Sequence, residues 1–500
     1  MSTPPQPPRA TPDGHHPMPA FDGPSAPKGA PSAAGSAFAV GGPRVPGPNG
    51  SPARKPPVRA PEAAPLPDET RIERAIRRGF ARVGTLALGP YQTAVVRIGF
   101  ATTWLLFLLR EFPHRRELYG PDGPWSLELA RPFLDNNHAF SVLPWSGSTA
   151  WFEAVYGLAV VSSALLLVGW RTRTMSVLFM VGVLSLQNRS IYAGDGGDNV
   201  IHLMAMYLVL TRCGQVWSLD ARRARRAAEA PGGGTRPGRD LPGIVLWAVL
   251  GLVLATAQFG GAYGLSWFAH GPCPGVGWSL ALWGLWAVHA VWWLAERYAP
   301  GEPRAVLDML AKLVHNGAFL VILVEVCLVY ATAGWYKIQG SRWQDGTAVY
   351  YPLHLDYFSP WPDLSRALAG NGLLIMLLSY GTVIVQVAFP FTVFNRRLKN
   401  VLLVAMIGEH LAIAFLLGLP FFSLAMVAAD AVFLPTAFLT RLGARAARVG
   451  NRLRRGRGGG SAGGAPGGTD VRVPSAPRGV DGPARNAPQD GGDGTRATVG

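Results

Sequence analysis

Between residues 88 and 440 the chain is a succession of apolar runs, most of them close to the length a bilayer demands. A helix needs about 20 mainly apolar residues to cross a hydrocarbon core, and few soluble folds tolerate such runs in series. Ten stretches can be marked: 88–109, 149–169, 174–190, 198–212, 243–266, 277–297, 316–338, 371–393, 399–417 and 420–440. The expected fold is an all-α polytopic transmembrane helix bundle of about ten spans. Eight spans with two interfacial helices is the competing count, because 198–212 is short with a polar start and 277–297 is rich in Trp, which favours interfaces.

Composition agrees. The 500 residues are 49% hydrophobic and only 15% charged, although both ends are polar, so the middle must be very apolar. The net charge of +16 would suggest nucleic acid in a soluble protein. Here the basic residues gather in tails and short loops, as topology signals do. Five basic segments carry them: 71–82, 170–173, 212–240, 395–399 and 441–452. With ten spans all five fall on one side. That places both termini in the cytoplasm, with the lipid bilayer as the partner and no nucleic acid.

Residues 1–66 are rich in Pro, Gly, Ala and Ser and read as a disordered tail without a signal-peptide core. Residues 67–87 form a basic cytoplasmic flank, and 441–500 a basic, then Gly-rich, disordered tail. Together with the Ala/Gly/Arg/Pro bias, the missing signal peptide suggests a bacterial plasma membrane. Cys213, Cys273 and Cys327 occupy places that cannot easily meet, so no disulfide is expected. No metal site is expected either. Asp198 and His202 stand at i and i+4, but two ligands fall short of a site, and capping of a helix start by Asp198 or Asn199 is the simpler account.

Ionisable groups within apolar runs are costly and therefore informative. Arg97, in VVRIGFATTW, has no sequence partner and should face the bundle interior. Glu325 sits mid-run. It is either a proton relay or a carboxyl bonded to a neighbouring helix. His410 and Asp430 lie at equal distances either side of a turn near Gly418–Pro420. A His–Asp hydrogen bond between antiparallel helices is therefore expected, as packing glue or as a proton path. Lys337 closes a run in YATAGWYKIQGSRWQDG (330–346). It is either an anchor snorkelling beside an aromatic belt or a base in a partly dry pocket. Tyr330, Gly334 and Lys337 share a helical face, and with Trp343 they mark a possible ligand face. Glu325 lies twelve residues before Lys337, roughly 18 Å along a helix, too far to pair.

Six stretches together resemble one family. They are VVRIGFATTWLLF (95–107), ELYGPDG (117–123), NRSIYAGDGGDNVIHL (188–203), WSLDARR (217–223), YATAGWYKIQGSRWQDGTAVYY (330–351) and HLAIAFLLGLPFFSLAMVAAD (410–430). Their order is similar to that of the HTTM (horizontally transferred transmembrane) domain, related to the vitamin K-dependent gamma-carboxylase. The resemblance covers about 88–440, with the two runs across 243–297 as an insertion. It implies that Lys337, in AGWYK, takes the position of that enzyme's base, near a quinone or similar lipid-like ligand. Two departures weigh against gamma-carboxylation itself. Arg189 stands where that enzyme has a catalytic His, and no large lumenal domain follows. Enzyme and non-enzymatic transport, immunity or maturation component both remain open, the latter using Glu325, His410 and Asp430.

Overall fold

A computed structural model describes residues 71–190, 192–229, 240–259, 277–299 and 301–458. Among them every regular element is helical. In chain order the helices are α1 (Arg71–Thr85), α2 (Pro90–Glu111), α3 (Arg115–Tyr119), α4 (Leu127–Asn136), α5 (Thr149–Val168), α6 (Thr172–Arg189), α7 (Gly196–Leu210), α8 (Leu219–Glu229) and α9 (Leu241–Phe259). They continue with α10 (Trp278–Tyr298), α11 (Glu302–Gln339), α12 (Ser341–Gln344), α13 (Pro362–Ala369), α14 (Gly372–Thr392), α15 (Arg396–Leu416), α16 (Pro420–Asp430) and α17 (Thr436–Gly458). The loop around Cys273 and the tails 1–66 and 459–500 lie outside the described residues.

Among the described residues seven helical segments are long and apolar enough to cross a membrane, and an eighth is reached if the bent pair after Pro420 counts as one span. The competing count of eight is thus reached with the bent pair, and three of the ten expected runs do not return as single long apolar helices. The run at 198–212 becomes α7, only 15 residues, or about 22 Å against a hydrocarbon core of about 30 Å. The run at 174–190 becomes α6, whose polar ends include Arg173, Gln187 and Arg189 and dilute its apolar character. The run at 420–440 breaks at Leu434–Pro435, and α17 leaves at 115° to the helix before it. Proline at 435 cannot continue a helix from the turn before it. Within the basic flank helix runs through 71–85, and α17 continues to Gly458, into the stretch 441–500 expected as a tail.

The largest core is built where α2, α5, α6, α7 and α16 meet, around Phe100, Trp104, Phe179 and Met204. These helices pack closely because small residues face one another. A Cβ on Gly99 would meet the Cβ of Ala428 at 2.5 Å, and one on Gly182 the Cβ of Ala159 at 2.9 Å. Small residues at helix contacts are how bundles pack where lipid is as apolar as the partner helix. Helices α9 and α10 join this core through Ala257 and Leu282 and also pack on each other. Trp247 and Trp286 stack at 4.1 Å, and each indole N–H donates to the other's carbonyl, at 3.1 and 3.0 Å.

The 38-residue α11 is pinned about a third of the way along its length. His315 Nδ1 accepts from the Arg212 N–H and its Nε2 donates to the Leu88 carbonyl, both at 2.8 Å. Asn316 accepts from the Leu88 N–H and donates to the Val83 and Leu86 carbonyls. The far end of α11 reaches the polar site.

Candidate functional site

The polar groups of α11, α14, α15 and α16 converge. Lys337 Nζ donates to Gln386 Oε1 at 2.9 Å, and Gln386 Nε2 donates to Glu409 Oε1 at 2.7 Å. A neutral amide thus bridges an amine and a carboxyl, with its oxygen toward the donor and its nitrogen toward the acceptor. The Lys337 amine also lies 5.2 Å from the centroid of the Trp343 ring, within cation–π range.

A second group lies about two helical turns back along α11. The Tyr330 hydroxyl donates to Asp430 Oδ1 at 2.8 Å and contacts His410 Nε2 at 3.0 Å. One hydroxyl hydrogen cannot serve both, so with the proton given to Asp430 the His410 N–H is the donor at the other contact. All three side chains are buried, and neither His410 Nδ1 nor Asp430 Oδ2 has a hydrogen-bond partner. Glu409 and His410 are consecutive residues of α15, so one backbone joins the two groups.

The sequence places His410 and Asp430 at similar depth on adjacent helices, and the structure sets both against one oxygen. The expected direct His–Asp bond is replaced by Tyr330, whose longer reach fills the space between three helices. Tyr330 and Gly334 do not form an open ligand face. Both are buried, and a Cβ on Gly334 would lie 2.6 Å from Val387 Cγ2. Glycine is required there so that α11 can touch α14. Lys337 and Trp343 stay partly accessible at the edge of that contact. Lys337 lies in the last turn of α11, but its amine is engaged with a second helix. Its partner Gln386 is fourteen residues into α14, roughly 21 Å along that helix. The chain beyond α11 folds back over the intervening stretch, with the Tyr380 hydroxyl donating to the Gln344 carbonyl at 2.8 Å.

The remaining polar residues lie elsewhere. Glu325 is half-buried on the part of α11 that faces Tyr207 of α7. Arg97 is fully buried and donates to the carbonyls of Leu166 (2.6 Å), Leu167 (3.2 Å) and Trp217 (2.8 Å). It therefore ties α2 to the last turn of α5, where carbonyls lack intrahelical partners and the helix dipole favours a cation. Arg189 is also buried and donates to the Gly120 carbonyl at 2.8 Å. Asp195, rather than Asp198 or Asn199, is the N-cap of α7. Asp198 closes the capping box by accepting from the Asp195 N–H at 2.8 Å. His202 bonds Gln187 at 3.1 Å.

Gln386 and Glu409 are the members of the site least visible in sequence, because nothing in their spacing links them to Lys337. Two polar side chains in otherwise apolar runs were the available signal. No family model, no curated protein and no solved structure matches the chain.

Proposed function

We propose that the chain is a multi-pass membrane protein of the HTTM type, seated in a bacterial plasma membrane with both termini cytoplasmic. In this reading Lys337 accepts a proton from a quinone- or lipid-like ligand held beside it. The observation that carries it is the hydrogen-bonded line Lys337–Gln386–Glu409. A lysine base must accept a proton and then be held as an ammonium. The Gln386 carbonyl supplies the acceptor for that ammonium, and Glu409 the balancing carboxylate, so the protonated state is neutral overall with the base still at the edge of the bundle. Trp343 offers a π-face on the accessible side, against which a planar ring or an apolar chain can rest. Gamma-carboxylation is not part of the proposal, since Arg189 is committed to a backbone carbonyl and its guanidinium cannot serve as a base.

A second reading, a non-enzymatic proton path, rests on a different observation. His410 Nδ1 and Asp430 Oδ2 are buried and unpartnered, which leaves room for a proton to be taken up and handed on through Tyr330.

The test is mass spectrometry of small molecules that co-purify with the detergent-solubilised protein. A quinone or isoprenoid lipid held by wild type, and lost in Lys337→Ala and in Gln386→Leu, is the expected result. The same small molecules in all three proteins at equal stability would remove Lys337 from any ligand site. For the second reading, Asp430→Asn should abolish proton flux into liposomes. Flux that survives it would eliminate the path.

A further inference from the structure

A cavity of about 430 Å3 separates the α9–α10 hairpin from α5 and α6. It runs from Arg171, Thr174 and Asp240 at one end to Trp145 and Trp151 at the other. Along α9 its lining extends from Asp240 to Leu254, fourteen residues or roughly 21 Å. Spread over that length the volume makes a narrow slot, shaped for a chain rather than a compact molecule. Its walls are almost entirely aliphatic and indole. Trp247, Trp286 and Trp151 already spend their N–H groups on carbonyls, so the middle of the slot offers a polar ligand little beyond the unpartnered Nε2 of His289. Arg171 and Asp240 close the polar end as an ion pair, with one hydrogen bond at 2.7 Å. The guanidinium holds the Asp240 carboxyl below the usual carboxylate range.

Beyond that neutral pair the charges do not balance. The guanidiniums of Arg173 and Arg304 both lie over the Trp292 ring, at 4.1 and 4.2 Å from its centroid. Arg304 reaches Glu296 at 3.6 Å. Asp308 serves both Arg212 and Lys312, at 2.8 and 2.7 Å. Arg173, Arg212, Arg304 and Lys312 thus share two carboxylates, Glu296 and Asp308, and Arg173 is exposed at the start of α6 one residue before the slot-lining Thr174. A basic recess between helices at the end of an apolar slot combines the two recognitions that a phospholipid needs, and anionic lipids favour such basic sites.

We propose that this slot binds an anionic phospholipid of the surrounding bilayer, with an acyl chain between α9–α10 and α5–α6 and its phosphate on Arg173 and Arg304. The site is separate from Lys337 and does not depend on the role given to it.

The experiment is native mass spectrometry of the full-length protein from nanodiscs containing equal amounts of phosphatidylglycerol and phosphatidylcholine with identical chains. Retention of one phosphatidylglycerol in preference to phosphatidylcholine is expected. Arg173→Gln should lower that preference about fivefold, the weight of one basic residue at an anionic surface. Leu250→Trp, which fills the slot, should remove the retained lipid of either kind. Because the filled slot could disturb the hairpin, the wild type is also compared with phosphatidylglycerols of 8-, 12- and 16-carbon chains, where retention should rise with length. Equal retention of both headgroups, indifference to Arg173→Gln, or indifference to chain length would each overturn the proposal. So would displacement of the lipid by millimolar inorganic phosphate, which would mark a simple anion site.

Discussion

Replacing Tyr330 with Phe removes a single oxygen and no packing volume to speak of. Its hydroxyl serves two buried groups at once, Asp430 Oδ1 at 2.8 Å and His410 Nε2 at 3.0 Å. Leaving a buried donor or acceptor without a partner costs about 1–3 kcal/mol in water-soluble proteins. Interhelical hydrogen bonds in membranes measure nearer 0.6 kcal/mol, with a maximum of about 1.7. Two groups are orphaned here, and Asp430 already has one unpaired oxygen, so a loss of about 2–3 kcal/mol is expected. The assay is equilibrium unfolding in mixed micelles with increasing dodecyl sulfate, followed by far-ultraviolet circular dichroism. The companion is Tyr330→Phe with Asp430→Leu, which removes the stranded carboxyl as well. Because an apolar replacement of both partners is far less costly than an orphaned one, the double variant should recover at least about 1 kcal/mol. A single variant within about 0.5 kcal/mol of wild type would refute the reasoning, and so would a double variant that is simply the sum of its parts.

Two further outcomes follow from close contacts. Gly334→Ala forces a methyl into Val387, an overpacking cost of about 1–3 kcal/mol. It should separate α11 from α14, and Val387→Ala in the same protein should restore most of the stability in the unfolding assay above. Arg97→Met removes the donor to three carbonyls and should cost about 2–4 kcal/mol. Arg97→Lys, which offers one ammonium in place of a fork, should lie between Met and wild type.

Much of the bundle was legible because the signal for a span is additive. Twenty apolar residues announce themselves whatever they pack against, and seven of the expected runs return as long apolar helices. The runs that do not return as long apolar helices include those surrounded by other helices. Helices α6 and α7 are sheltered by other helices, with Val183, Leu184, Ile201 and Met204 in the shared core, so they can be shorter or more polar than a lipid-exposed span. The bend between Phe433 and Thr436 falls at Pro435, a single residue within an otherwise apolar run. At the site, Lys337, His410 and Asp430 were visible as charges out of place. The pairings between them and their partners were not. Gln386 is 49 residues from Lys337 and Tyr330 is 100 from Asp430, and contacts at such separations are fixed by helix packing, which leaves no local pattern. Arg97 shows the same limit, since its partners are backbone carbonyls, which every residue possesses.

The length of α11 has a mechanical consequence. A 38-residue helix is about 57 Å long, nearly twice the hydrocarbon thickness. His315 and Asn316 grip the α1–α2 connection about a third of the way along it, while Tyr330 and Lys337 meet α14, α15 and α16 near the far end. The 22 residues between His315 and Lys337 form a rod of roughly 33 Å. One unbroken helix therefore joins the α1–α2 connection to the polar cluster, so the two sets of hydrogen bonds share a single element.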